Sequence, residues 1–273
     1  MATFSLTAGD DTVVAPASGA TVYATAATLN AGDSLTGGAG TDVLELVGSG
    51  TFNLAQLASF TGFESVKLNN ATNSVANLTL GSQPIEVDAT GYLTIQVGSP
   101  SNWNGSDVIN GDASNPWSTT SLNFNNFASS YPPPPLTYDL TANTISHVAN
   151  VTAGSDNLTL LINSADAAGI QSFTASFGQN EQLVTAASTL DLSHTTVSGF
   201  RVDSTNGVGT TFTVGDLGTA FQIDGGPGQD TLVAQGFTFT ADQRTAIFET
   251  SSRRSPIRAG HTPLLRQLRV RFP

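Results

Sequence analysis

Two aspartates nine residues apart, Asp33 and Asp42, each stand two places before a leucine. Glycine fills the approach to the second, at Gly37, Gly38 and Gly40. A carboxylate is a hard anionic oxygen donor, and a glycine-rich turn, free to take φ > 0, lets backbone carbonyls come close to an ion. That pairing is the chemistry of a divalent cation held by oxygen. Calcium suits it, because calcium takes six to eight such oxygens without strict geometry. A second full copy of the pattern, GGxGxDxL, runs through Gly225, Gly226, Gly228, Asp230 and Leu232. Asp11 belongs to a shorter copy, Gly9-Asp10-Asp11-Thr12-Val13, and lies 22 residues before Asp33. Asp107 and Asp156 stand in the same short form after Gly105 and Gly154 and read as turn residues. One turn supplies about half a coordination sphere, so an ion at Asp33 and Asp42 needs a neighbouring turn, and Asp11 is the residue placed to supply it. The competing reading of all these residues is a set of tight turns in a β-rich chain.

Stacked turns require stacked strands. Short alternating runs follow each motif: Val43–Leu46, Thr51–Leu54, Glu64–Leu68, Asn77–Leu80, Ile85–Val87 and Tyr92–Val97, with a short helix or corner expected over Gln56–Phe63. Comparable apolar residues recur at Leu44, Val66, Val87 and Ile109, in steps of 22, 21 and 22. Tyr138 to Leu160 and Phe200 to Gln222 repeat the 22-residue step. The pattern predicts an all-β chain: a parallel β-helix, or β-solenoid, with coils of about 20–24 residues. A Greek-key β-sandwich is the structural rival. The solenoid is expected over residues 1–250 as one domain, with a loop insertion near 101–138 that holds Trp103, Trp117 and the four prolines 132–135. The two tryptophans could stack on sugars, but packing on their own coil is the simpler expectation. Short strands resume over 139–250, among them Thr211–Val214 and Phe221–Asp224.

Composition limits what such a scaffold could do. Only 11% of the residues are charged, and Thr, Ser, Asn and Gly take their place. Cysteine is absent, so disulfides are excluded. Residues 1–250 hold all 21 acidic residues against Lys67, Arg201 and Arg244, a balance of −18. That body attracts divalent cations and repels nucleic acid and anionic membrane. Residues 251–273 hold six arginines and no acid. The change falls just after Phe248-Glu249 and reads as a basic tail, disordered or aberrant, the product of a shifted reading frame or a truncation. No run of 18 apolar residues predicts a membrane span, and residues 1–30 lack the basic start and apolar core of an N-terminal signal peptide.

The opening FSLTAGDDTV, the LNAGDSLTGGAGTDVLEL run and the following FESVKLN resemble one module of the RTX-like β-strand-repeat proteins of Gram-negative bacteria. Large surface adhesins and S-layer-type proteins belong to that group. The nine-residue unit is similar to the calcium-binding repeat of parallel β-rolls. The resemblance is closest over residues 1–70 and 219–250. It implies a secreted or cell-surface scaffold without enzymatic activity, exported by a type I system. Calcium is its implied ligand, and cell-surface glycans or like modules are its candidate partners.

An enzyme on a β-helix, a polysaccharide lyase or hydrolase, is the alternative. Such enzymes need a base or a pair of carboxylates in a groove. His147 and His194 stand alone in the sequence, and Lys67 and Arg201 are the candidate lyase bases.

Overall fold

A computed structural model describes residues 1–70, 75–97, 103, 106–113, 120–124, 135–154, 157–176, 180–254 and 269–271. The chain divides into two units. Unit 1 is Met1–Phe127 with Ala142–Thr152, and unit 2 is Ala128–Thr141 with Ala153–Pro273.

In unit 1 the chain winds as a parallel β-solenoid. Seven strands stack in sequence order to form one sheet: Ala2–Ser5, Ala20–Ala24, Val43–Val47, Ser65–Asn69, Glu86–Thr90, Val108–Asn110 and Thr144–Ser146. The strands between them build two further arrays. Thr12–Val14, Ser34–Thr36 and Ser59–Thr61 form one, and Gly50–Asn53, Val75–Thr79, Tyr92–Val97 and Thr120–Phe124 stack as the other. Unit 2 repeats the plan. Leu136–Asp139, Leu158–Leu161, Gln182–Thr185 and Arg201–Ser204 form one sheet, and Thr189–Leu192, Thr211–Val214, Thr231–Ala234 and Arg269–Arg271 another. Every described strand pair is parallel, which rules out the antiparallel sandwich.

Alternation produces this architecture. In each strand every second side chain faces inward, and parallel stacking sets like on like. Leu44 pairs with Val66, Val66 with Val87, and Val87 with Ile109, and all four are fully buried. Phe52, Leu78, Ile95 and Leu122 make a second inward row. In unit 2, Tyr138, Leu160, Leu183 and Val202 form the matching row. Each such Leu, Ile, Val or Phe contributes about 1.5–3 kcal/mol by leaving water.

The expected steps of 22, 21 and 22 are therefore the register itself, and Tyr138 does pair with Leu160. The step from Phe200 to Gln222 is one residue too long. Val202 bridges Ile223, and in place of the strand expected at Phe221–Asp224 the chain has a turn and this isolated bridge, just after a helical turn, Leu217–Ala220, capped by Asp216. A 3-10 turn, Leu54–Gln56, and the strand Ser59–Thr61 occupy the corner region expected over Gln56–Phe63. The expected insertion near 101–138 holds three strands, since Thr120-Ser121-Leu122-Asn123-Phe124 alternates as regularly as any coil. Trp103 is buried and meets Phe124 edge-on at 5.5 Å, whereas Trp117 lies outside the described residues. Helix Ala241–Arg254 runs across the point where composition changes, and Arg269–Arg271 pairs with Thr231–Ala234.

Candidate functional site: the acidic corners

Each corner that leads into a strand poses the same problem. The residue entering the strand has a buried N–H, and the regular ladder of carbonyls has not yet begun. A buried N–H without an acceptor is costly. Asp42 solves this for the coil before it. Its carboxylate is fully buried. Oδ1 accepts the N–H of Ala20 at 2.7 Å, and Oδ2 accepts the N–H of Gly38 at 2.6 Å. Asp42 in turn donates its own N–H to Glu64 Oε2 at 2.6 Å.

Asp33 does the same at the neighbouring corner. Its Oδ1 accepts from Asp11 N–H and its Oδ2 from Asn30 N–H, both at 2.9 Å. The two D-x-L units thus occupy two corners leading into different sheets. Asp11 does lie next to Asp33, but through its backbone N–H. Its carboxylate turns back to accept the N–H and hydroxyl of Thr7. Asp107 continues the ladder by accepting Ile85 N–H at 3.0 Å, and Asn143 accepts Asp107 N–H at 2.9 Å. In unit 2, Asp230 Oδ1 accepts Thr210 N–H at 2.8 Å, and Thr219 Oγ1 accepts Val197 N–H at 3.0 Å. Asp156 lies outside the described residues.

The motif glycines are shaped by the same stacking. A Cβ on Gly37 would lie 1.8 Å from the carbonyl oxygen of Gly62, on Gly38 2.5 Å from that of Pro16, and on Gly40 2.4 Å from the nitrogen of Gly19. None of these three takes a left-handed φ, contrary to the turn expected from sequence; close approach of the neighbouring coils is what excludes a side chain. In the second copy both reasons apply. Gly225, Gly226 and Gly228 have φ of +94°, +88° and +103°. A Cβ on Gly226 would meet Ser204 O at 2.0 Å, and on Gly228 Gly209 N at 2.5 Å. The two copies superimpose in function: Gly40 and Gly228 each abut the glycine just before the N–H that Asp42 or Asp230 caps.

Against a calcium ion, the corner offers one carboxylate whose oxygens already hold N–H donors. Among the described residues no three acidic or histidine side chains converge on a point. Asp33, Asp42 and Asp230 do not by themselves make up the six to eight oxygens that calcium takes.

No family model, curated protein or solved structure matches the chain.

The other chemically capable residues fall in separate places. Lys67 Nζ stands 4.0 Å from Asp88 on the surface of the seven-stranded sheet. Arg201 reaches Asp203 at 3.2 Å and Asp224 at 3.6 Å. His147 and His194 are exposed. Glu64, Asn143 and Thr219 are cap residues that the GxGxDxL pattern does not select. Their shared signal is a polar side chain close ahead of or beside a corner, 22 residues after a capped N–H in two cases and 36 in the third. Among the described residues no helix is long and apolar enough to cross a membrane.

Proposed function

We propose that this chain is a non-enzymatic structural module of a secreted or cell-surface protein, a stiff scaffold for adhesion. The observation that carries this reading is the cap ladder. Five acidic side chains join one coil to the next: Asp33, Asp42, Glu64, Asp107 and Asp230 each accept a backbone N–H from the preceding coil. An enzyme needs carboxylates held free to exchange protons or attack a substrate. These are held to keep a stack in register. The resemblance of residues 1–70 to adhesin and S-layer-type modules supports the same reading, and so does the acidic body, which would keep such a module soluble.

Antibody labelling of intact cells of the source organism tests the proposal. Labelling without permeabilisation, removed by an added protease, is the expected result. A signal that emerges only after lysis would refute it.

A further inference from the structure

The two large sheets of unit 1 present different outer surfaces. On the seven-stranded sheet the register stacks Glu45, Lys67, Asp88, Asn110 and Ser146 in one outward row. Those side chains satisfy one another and their neighbours. Asn69 donates to Glu45 at 3.0 Å, Asn110 to Asp88 at 2.9 Å and Ser146 to Asn110 at 3.0 Å, and Lys67 pairs with Asp88.

The array Gly50–Asn53, Val75–Thr79, Tyr92–Val97 and Thr120–Phe124 is built otherwise. Its register places Thr51, Asn77, Thr94 and Ser121 in one outward row, with Thr79 and Gln96 in the next. No ionisable side chain enters these rows, in a chain with 21 acids. None of the six side chains has a hydrogen-bond partner among the described residues. Asn53 continues the second row beside Thr79, and its Oδ1 is buried and also lacks a partner. Alongside the first row, at the starts of two strands, Val75 is 55% exposed and pairs in register with Tyr92.

These are the groups that recognise a neutral sugar polymer. Hydroxyls and amides donate and accept at once, as pyranose hydroxyls do. Adjacent strands repeat them about every 4.8 Å, and alternate residues about every 6.6 Å. Neutral donors lose water more cheaply than charged ones. Tyr92, with Val75, gives an apolar surface on which a ring can stack. The acidic body disfavours anionic polymers. We infer that this face binds a neutral polysaccharide chain laid across the strands. The inference rests on the adhesion reading above and names its ligand class.

Electrophoresis of the full chain through native gels cast with a neutral mannan, a neutral glucan or alginate tests it. Retardation by at least one neutral polymer and none by alginate is expected. The double variant Asn77→Asp/Thr94→Glu should weaken that retardation at least tenfold while leaving the circular dichroism spectrum unchanged. Gln96→Glu, nearly isosteric, serves should the double variant fail to fold. Free migration of the parent chain in both neutral polymers, or unaltered retardation of the variants, overturns the inference. So does a dimer, seen by sedimentation without polymer, that Thr94→Glu dissolves, since the face would then belong to a second copy. Loss of glycan binding with surface labelling intact removes only this face. Loss of surface labelling removes the wider reading.

Discussion

Asp42 holds two N–H groups from two places in the chain, Ala20 in the coil before and Gly38 in its own turn. Removing the carboxylate leaves both donors without an acceptor, and each costs about 1–3 kcal/mol when buried. Asp42→Ala should therefore lower stability by roughly 2–6 kcal/mol, read as a fall in the urea midpoint. Asp42→Asn keeps one oxygen but turns an NH2 toward the other donor, and should fall in between. Asp11→Ala is the control. Its carboxylate serves only the exposed Thr7 turn, so a change below about 1 kcal/mol is expected. A drop for Asp11→Ala as large as for Asp42→Ala would contradict the ladder. The sequence shows the glycines and aspartates as corner residues, and they are. What it leaves open is the partner of each carboxylate. An ion and a backbone N–H both call for an oxygen at the same place. The choice between them depends on which group lies 20–22 residues upstream, and spacing alone does not say which way that N–H points.

At the scale of elements, strands are the legible part. Leu44, Val66, Val87 and Ile109 are each followed by a polar residue and recur in steps of 21 or 22, so period and register follow from one pattern. Short helical turns are not legible in the same way. Leu217–Ala220 has no amphipathic period at four residues, and its one side-chain cap is Asp216. Helix Ser164–Ala168 shows what holds such a turn. Asn163 and Asp166 form a capping box: Asn163 Oδ1 accepts the N–H groups of Ala165 and Asp166, and Asp166 accepts that of Asn163. Burial pushes the Asp166 carboxyl up to about 6; the Asn163 N–H opposes that shift, and the nearby Asp139 charge adds to it. A carboxyl with a raised folded pKa favours the native state while protonated. Its contribution is complete below the unfolded value near 4 and is lost as pH rises through about 6. Asp166→Asn removes that titration. The stability of the parent chain relative to Asp166→Asn should then fall by about 2–3 kcal/mol between pH 4 and pH 7, measured by urea unfolding at each pH. A constant difference would show that Asp166 does not titrate in this range.

At the scale of the molecule, ions and backbone compete to explain how an acidic chain with a net charge of −12 stays folded. A calcium ion bound only to the native state, at 100 times its dissociation constant, adds about 2.7 kcal/mol. For a chain of this length that is a rise of roughly 5–10 °C in Tm. If the N–H caps alone hold the corners, the rise is far smaller. Thermal unfolding followed by circular dichroism in millimolar calcium and then in chelator should give midpoints within about 2 °C of each other. A larger, calcium-dependent rise would give the ion a structural place at the corners. The caps also have a consequence for how such a chain can change in length. Their reach is 22 residues at Asp33, Asp42, Glu64 and Asp107, 20 at Asp230 and 36 at Asn143. The same bond forms at 2.9 Å although its arc is 14 residues longer than the common 22. At this corner the cap forms although the arc that it closes is much longer than the others. A coil of this kind can accept a grafted segment in its outer arc and lose nothing of its alignment, provided the residue that closes the arc still offers an oxygen to the coil before it.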